Sequence, residues 1–181
     1  MLIRILKALC VSAGAVFTVT LCLNWALMTG GAFINVSSSL PRGVYTVTTS
    51  QEIKEGSLVL ACLEKDQARE AFERGFVTRG QCPGHYAPIG KHVVALKGDH
   101  VQVSAVGVRV NGQLLPLSIP SPVDGRGLPL PALNLNATLR AGEYLLLNPA
   151  LDSFDSRYLG IIRHRQILAV LRPEPSVALP A

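Results

Sequence analysis

Hydrophobic and polar positions follow different rules in different parts of this chain. From Ala8 to Met28 no acidic, basic or histidine side chain occurs. At 1.5 Å rise per residue, a helix over that run crosses a hydrocarbon core of about 30 Å. Arg4 and Lys7 precede it and the next charge is Arg42, so the positive-inside rule puts the amino terminus in the cytoplasm and exports the rest. The rival is a cleaved signal peptide, whose apolar core is usually about 7–15 residues and ends in a small-x-small site. Length favours an uncleaved anchor, although Gly30, Gly31 and Ala32 offer small residues at its end.

Beyond the anchor the pattern turns to short runs. Residues 43–49 and 58–62 are β-branched or apolar stretches bounded by Gly, Pro and polar residues, which predicts strands. Over 66–76, Ala68, Ala71, Phe72 and Phe76 recur near helical spacing behind Asp66, a candidate N-cap. Strands are predicted again over 93–96, 101–105 and 106–110. There Asn111-Gly112 calls for a type I′ turn into 113–115. Pro116, Pro120, Pro122, Pro129 and Pro131 interrupt all periodicity and predict a long loop. Strands resume over 143–147 and 166–171, and Pro173, Pro175 and Pro180 predict a frayed tail. Many short strands, one helix and hairpin connections imply a mainly β domain of barrel or coiled-sheet type. The expected organisation is a cytoplasmic tail over 1–7, a transmembrane anchor over 8–28, an exported domain over 29–173 and a tail over 174–181.

Composition narrows the function. With 49% hydrophobic and 16% charged residues, disorder is excluded. A formal charge of +5, without strong clustering, gives no case for nucleic acid. Arg163-His164-Arg165 reads as a solvated turn or, less simply, as a contact for anionic lipid. Cys10 and Cys22 fall in the anchor, whereas Cys62 and Cys82 fall in the exported part, where an oxidising compartment permits a disulfide. The other readings are two free thiols, or an incomplete metal set in which Cys82 and His85 form Cys-x-x-His with Cys62.

Candidate chemistry begins with Ser37, Ser38 and Ser39, just outside the anchor. A serine hydroxyl needs a neighbouring base to become a nucleophile. None of His85, His92, His100 and His164 comes with a recognisable carboxylate partner or a Gly-x-Ser-x-Gly turn, which leaves lysine. Lys91 stands at the edge of the apolar 93–96 run. In water its pKa near 10.4 makes it useless as a base at neutral pH, but burial against apolar surface lowers that value. A surface lysine at a strand start is the plainer alternative.

Four blocks then stand in order: Asn35 through Tyr45, Lys91 through Asp99, Val108 through Gly112, and Asp152 through Gly160. Together, behind an N-terminal anchor, they resemble the type I signal peptidase family of serine–lysine membrane peptidases. Within it they are most similar to the conjugative-transfer branch, the TraF pilin peptidases. The loop Asp124 through Pro131 resembles that branch as well. The resemblance implies a signal-peptidase-like coiled β domain. Ser39, directly before Leu40-Pro41, would be the nucleophile and Lys91 the general base. The Ser37 hydroxyl would help hold the oxyanion, Ser153 would orient the lysine amine, and Asp155 and Arg157 would form a supporting pair. It also implies no metal and no cofactor. The substrate would be an exported protein with small residues at the cut, in this branch a pilin precursor, with components of a conjugative type IV secretion apparatus as partners. Some members of the branch close the pilin into a ring, and cyclisation and simple hydrolysis both stand as expectations. The rivals are a general signal peptidase with the same dyad and a non-enzymatic, membrane-tethered assembly module. The chain departs from the broader family at His92, often arginine, at Lys97, often proline, and in Asn148-Pro149-Ala150-Leu151, which replaces a Gly-Asp-Asn lead-in.

Overall fold

Among the described residues every strand pairing is antiparallel in the computed structural model, which describes residues 31–35, 40–48 and 52–178, with side chains through 173. The strands are β1 (Ala32–Asn35), β2 (Gly43–Thr48), β3 (Leu58–Ala61), β4 (Arg79–Cys82), β5 (Ile89–Ala95), β6 (His100–Ser104), β7 (Gly107–Val110), β8 (Gln113–Leu114), β9 (Leu135–Thr138), β10 (Glu143–Leu147), β11 (Ile162–Arg163) and β12 (Ile167–Ala178). A seven-stranded sheet has the order β1-β2-β12-β3-β5-β10-β11, and a four-stranded sheet has the order β8-β7-β6-β9. The larger sheet is open, with β1 and β11 at its two edges, so the coiled-sheet reading holds and closure into a barrel does not. Register shifts at Leu145/Leu146 and Ile167/Ala169 mark bulges, which bend strands and increase their twist.

Against the one helix expected in the exported part, the described residues hold two, α1 (Lys65–Glu73) and the single turn α2 (Ser156–Leu159), with a 3-10 turn at His164–Gln166. The N-cap of α1 is Glu64, not Asp66, which lies in the first turn. The helix stops before Phe76 because Gly75, at φ +77°, takes the left-handed conformation that ends helices without steric cost. Ala68 and Ala71 of α1 pack with Val59, Val93, Leu146 and Val170 on one face of the large sheet. A second cluster, including Ala95, Val101, Val103 and Leu145, joins the two sheets, and Leu40, Tyr45, Leu60 and Leu171 form a third.

The Asn111-Gly112 turn has both residues at positive φ, as a type I′ turn requires. The tail expectation is corrected: β12 continues to Ala178. Its pairing with β3 ends at Leu171↔Leu58, so from Pro173 onward it bonds only to β2. A proline is tolerated on such a one-sided edge. Cys62 and Cys82 form a disulfide that ties β4 to the end of β3 around the α1 excursion, and closing that loop stabilises the fold by about 3 kcal/mol. Both thiols are thereby used, which removes the Cys-x-x-His reading. Residues 8–28 lie outside the described residues. Among those described, no helix is long and apolar enough to cross a membrane.

Candidate active site

Lys91 is not at a strand edge. It is the third residue of β5, whose burial alternates so that Ile89, Lys91, Val93 and Ala95 share the inward face. The backbone pairing of β5 with β3, in which Lys91 lies opposite Val59, holds the lysine in that register. Only 4% of Lys91 is exposed. Burial lowers its ammonium pKa to about 8, a shift opposed by the carboxylates of Asp155 and Asp152 and assisted by the Arg157 guanidinium. The neutral fraction at pH 7 thereby rises from roughly one in three thousand to about one in ten.

Its Nζ donates to Ser153 Oγ at 2.8 Å, a contact between residues 62 positions apart. Ser153 is itself fixed, because its carbonyl accepts from Arg157 Nη2 at 3.2 Å. The same nitrogen donates to the Ala150 carbonyl at 2.7 Å, and Nη1 donates to the Leu117 carbonyl at 3.3 Å. Arg157 also donates to Asp155, from Nη2 at 2.7 Å and from Nε at 2.9 Å, and both side chains are wholly buried. Burial alone would depress the guanidinium's pKa, but hydrogen bonding and attraction from Asp155 outweigh it and the value is raised. Asp155 in turn caps α2 and accepts from the Asn148 backbone N–H. The sequence-predicted group Lys91, Ser153, Asp155 and Arg157 is therefore one connected buried network. Among the described residues no buried side-chain nitrogen or oxygen lacks a partner.

Two members of that network went unnoticed in the sequence. Asn148, 1% exposed, brackets the lysine: its Nδ2 donates to the Gly90 carbonyl at 3.1 Å, and its Oδ1 accepts from the His92 backbone N–H at 3.2 Å. His92 Nδ1 lies 3.0 Å from the same oxygen, a hydrogen bond when that nitrogen carries the proton. Both partners stand at the departures from the broader family pattern, and that coincidence was the available signal. Ser156 Oγ accepts from the Leu146 N–H at 2.9 Å and locks α2 against β10.

Ser37 and Ser39 lie outside the described residues. Their described neighbours are tightly placed. Asn35 Nδ2 donates to the carbonyls of Leu40, at 2.9 Å, and Pro41, at 3.1 Å, and Tyr45 Oη donates to the Pro41 carbonyl at 2.6 Å. Leu40 is buried and packs so closely over Gly90 that a Cβ there would lie 2.8 Å from its Cδ1. Beside it opens a cavity of about 390 Å³ lined by Lys91, Gly90, Ile34, Asn35, Phe76 and Phe154, among others. The arrangement can remove a proton from a hydroxyl brought to the lysine, and its apolar walls can hold small side chains of a bound peptide.

The family described as "Signal peptidase, peptidase S26" matches residues 2–173. Two plasmid transfer proteins TraF from Escherichia coli are 38% and 40% identical over 173 residues, 94% of this chain and 95% and 97% of theirs. A conjugal transfer protein TraF from Agrobacterium tumefaciens is 33% identical over 170 residues, 92% of this chain and 94% of its own. Among solved structures, a signal peptidase I from Enterococcus faecalis is similar, with a TM-score of 0.38 and 15% identity, over 67% of this chain and 98% of that one.

Proposed function

Since the chain belongs to the signal peptidase family, peptidase S26, we propose that it is a membrane-anchored serine endopeptidase that processes a pilin precursor for conjugative transfer. The observation that carries the reading is Lys91: a buried lysine with its pKa lowered to about 8, oriented by Ser153, in the wall of a cavity. A purely structural module has no use for a buried amine, which costs stability that an apolar side chain would not. The names of the TraF relatives favour a transfer-specific substrate over a general signal-peptidase role.

In the proposed reaction neutral Lys91 takes the proton of the Ser39 hydroxyl as its oxygen attacks the scissile carbonyl. The support for this pairing is that Leu40, the residue after Ser39, packs on Gly90 next to the lysine. The tetrahedral oxyanion is held by the Ser39 N–H and the Ser37 hydroxyl, a kind of donor whose loss elsewhere costs about 2.7–4 kcal/mol. The resulting lysine ammonium protonates the leaving amine, and water, or the pilin's own amino terminus, then releases the acyl group. The anchor over 8–28 keeps the nucleophile near the periplasmic surface of the inner membrane, where a membrane-threaded precursor is cut.

Co-expression with its candidate pilin precursor tests the dyad. Ser39→Ala and Lys91→Ala should accumulate precursor, whereas Ser38→Ala should process normally. Cleavage that persists in Lys91→Ala ends the proposal. Mass spectrometry of the wild-type product separates a linear pilin from one lighter by a water.

A further inference from the structure

The dyad assigns no task to the Asp124–Pro131 loop of the sequence resemblance. It is nevertheless strongly held. Asp124 accepts from the backbone N–H groups of Arg126 and Leu128, both at 2.9 Å, and from Arg74 Nη1 at 3.1 Å. Arg74 also donates to the Pro129 carbonyl, and Arg126 Nη2 reaches back to the Glu73 carbonyl, so the loop is tied to the C-terminal end of α1. At its near end, the Ser121 N–H and carbonyl both bond to Tyr158 Oη.

What these constraints build is a second cavity of about 190 Å³, between Val123, Gly125 and Leu130 on the loop and Leu151 and Tyr158 opposite. Phe76, Asp152 and Phe154 line both this cavity and the one that contains Lys91. The two rings stack at 4.4 Å between centroids and so form a partition between adjoining cavities. Val123 and Leu151 are 44% and 57% exposed, apolar surface at the rim that a bound chain would cover. The volume is well below the about 300 Å³ where small-molecule pockets begin and suits one large side chain.

We infer that the 121–130 loop and the Phe76–Phe154 partition form a separate substrate subsite, which takes one large apolar side chain of the polypeptide cut in the Lys91 cavity. This rests on the peptidase reading of that cavity. A peptide in extended form advances about 3.3 Å per residue and sends alternate side chains to the same face. Having filled the first cavity with a small side chain, it can place a larger one across the partition. The loop thus sets a preference at a position away from the cut, independent of the small residues beside it.

Gly125 supplies the test. It lacks a left-handed φ and has nothing within 4 Å of an added Cβ, so Gly125→Phe fills the cavity without straining the backbone. The full-length protein in detergent micelles is given internally quenched peptides with alanines around the cut, in which one further position at a time is Ala or Leu. In the wild type, Leu at one position should raise kcat/KM about tenfold over Ala. Gly125→Phe should erase that preference, so that the Leu and Ala peptides are cut with equal kcat/KM. A variant with wild-type urea resistance that keeps the preference, or that lowers both peptides alike, overturns the subsite. A photoreactive benzoylphenylalanine at each position, presented to Lys91→Ala, separates the two readings. Crosslinks to Val123 or Leu151 without wild-type cleavage keep the subsite and end the peptidase reading. Cleavage without such crosslinks does the reverse, and neither signal ends both.

Discussion

Two aspartate–arginine pairs hold the two halves of the proposed substrate groove, and they are built differently. Asp155 and Arg157 are both fully buried, two residues apart, and Arg157 spends its remaining donors on the carbonyls of residues 117, 150 and 153. Asp124 and Arg74 are 50 residues apart in sequence, and the Arg74 side chain is 21% exposed. Burial alone would raise the Asp124 carboxyl, but the N–H groups of Leu128 and Arg126 and the Arg74 guanidinium hold it below the usual carboxylate range. Its stabilising contribution is therefore present above that range and is lost as pH falls through its lowered pKa. The first pair fixes the surroundings of Lys91, the amine proposed to react, and is wholly shielded from solvent. The second fixes only the wall of a pocket, where partial exposure is acceptable. How completely a pair is buried here tracks how accurately its surroundings must be placed.

The sharpest way to break the contrast is to remove the arginines. Arg157→Met leaves the Asp155 carboxylate buried and unpaired, so it should destabilise by about 3–5 kcal/mol in urea titration and abolish cleavage. Arg74→Ala should shift the urea midpoint far less and leave cleavage of an all-alanine peptide intact. Equal losses from the two would erase the distinction.

Next in size is a gain. Lys91 has a folded pKa near 8, below its unfolded value of 10.5, so the unfolded chain binds more protons between those values. Stability should therefore rise by about 3 kcal/mol as pH climbs from 8 to 10.5, and the burial penalty is in full force below 8. Lys91→Met should remove that pH dependence and raise the urea midpoint at pH 7 while eliminating activity. A midpoint that falls would mean that the lysine is a structural anchor.

Smaller effects sharpen the account of the site. Asn148→Asp keeps the shape but places a carboxylate beside the Gly90 carbonyl and near Lys91. It should lower kcat about tenfold and move the acidic limb of the pH–rate profile upward from about 8, whereas a merely structural role would leave the limb in place. Smallest of all, Asp152→Asn removes an exposed carboxylate that raises the lysine's pKa, so the same limb should move slightly to lower pH. Movement in the opposite direction would contradict the charge assignment.

Much of this molecule was legible as sequence because the physics involved is local. Strands over 43–49, 58–62, 101–105, 106–110 and 143–147 follow from β-branched and apolar runs, and Asn111-Gly112 requires its turn whatever surrounds it. Expectations failed where a distant partner decided the matter. The start of β5 at Ile89 depends on pairing with β3, and β12 runs through its prolines because β2 alone is bonded there. From spacing alone, Lys91 read more plainly as a surface residue. Its burial, its lowered pKa and its bond to Ser153 come from chain segments that only the folded sheet brings together. Asn148 stood out only as a departure from the family pattern, because its role consists of reaching the carbonyl and N–H on either side of Lys91 across more than fifty residues. The amino-acid order determined the residue types, the periodicities and the turns, since these depend on neighbours a few positions away. Solvent exclusion and distance in space, which lower a lysine's pKa and make a proline-rich loop a pocket wall, were decided by the tertiary structure alone.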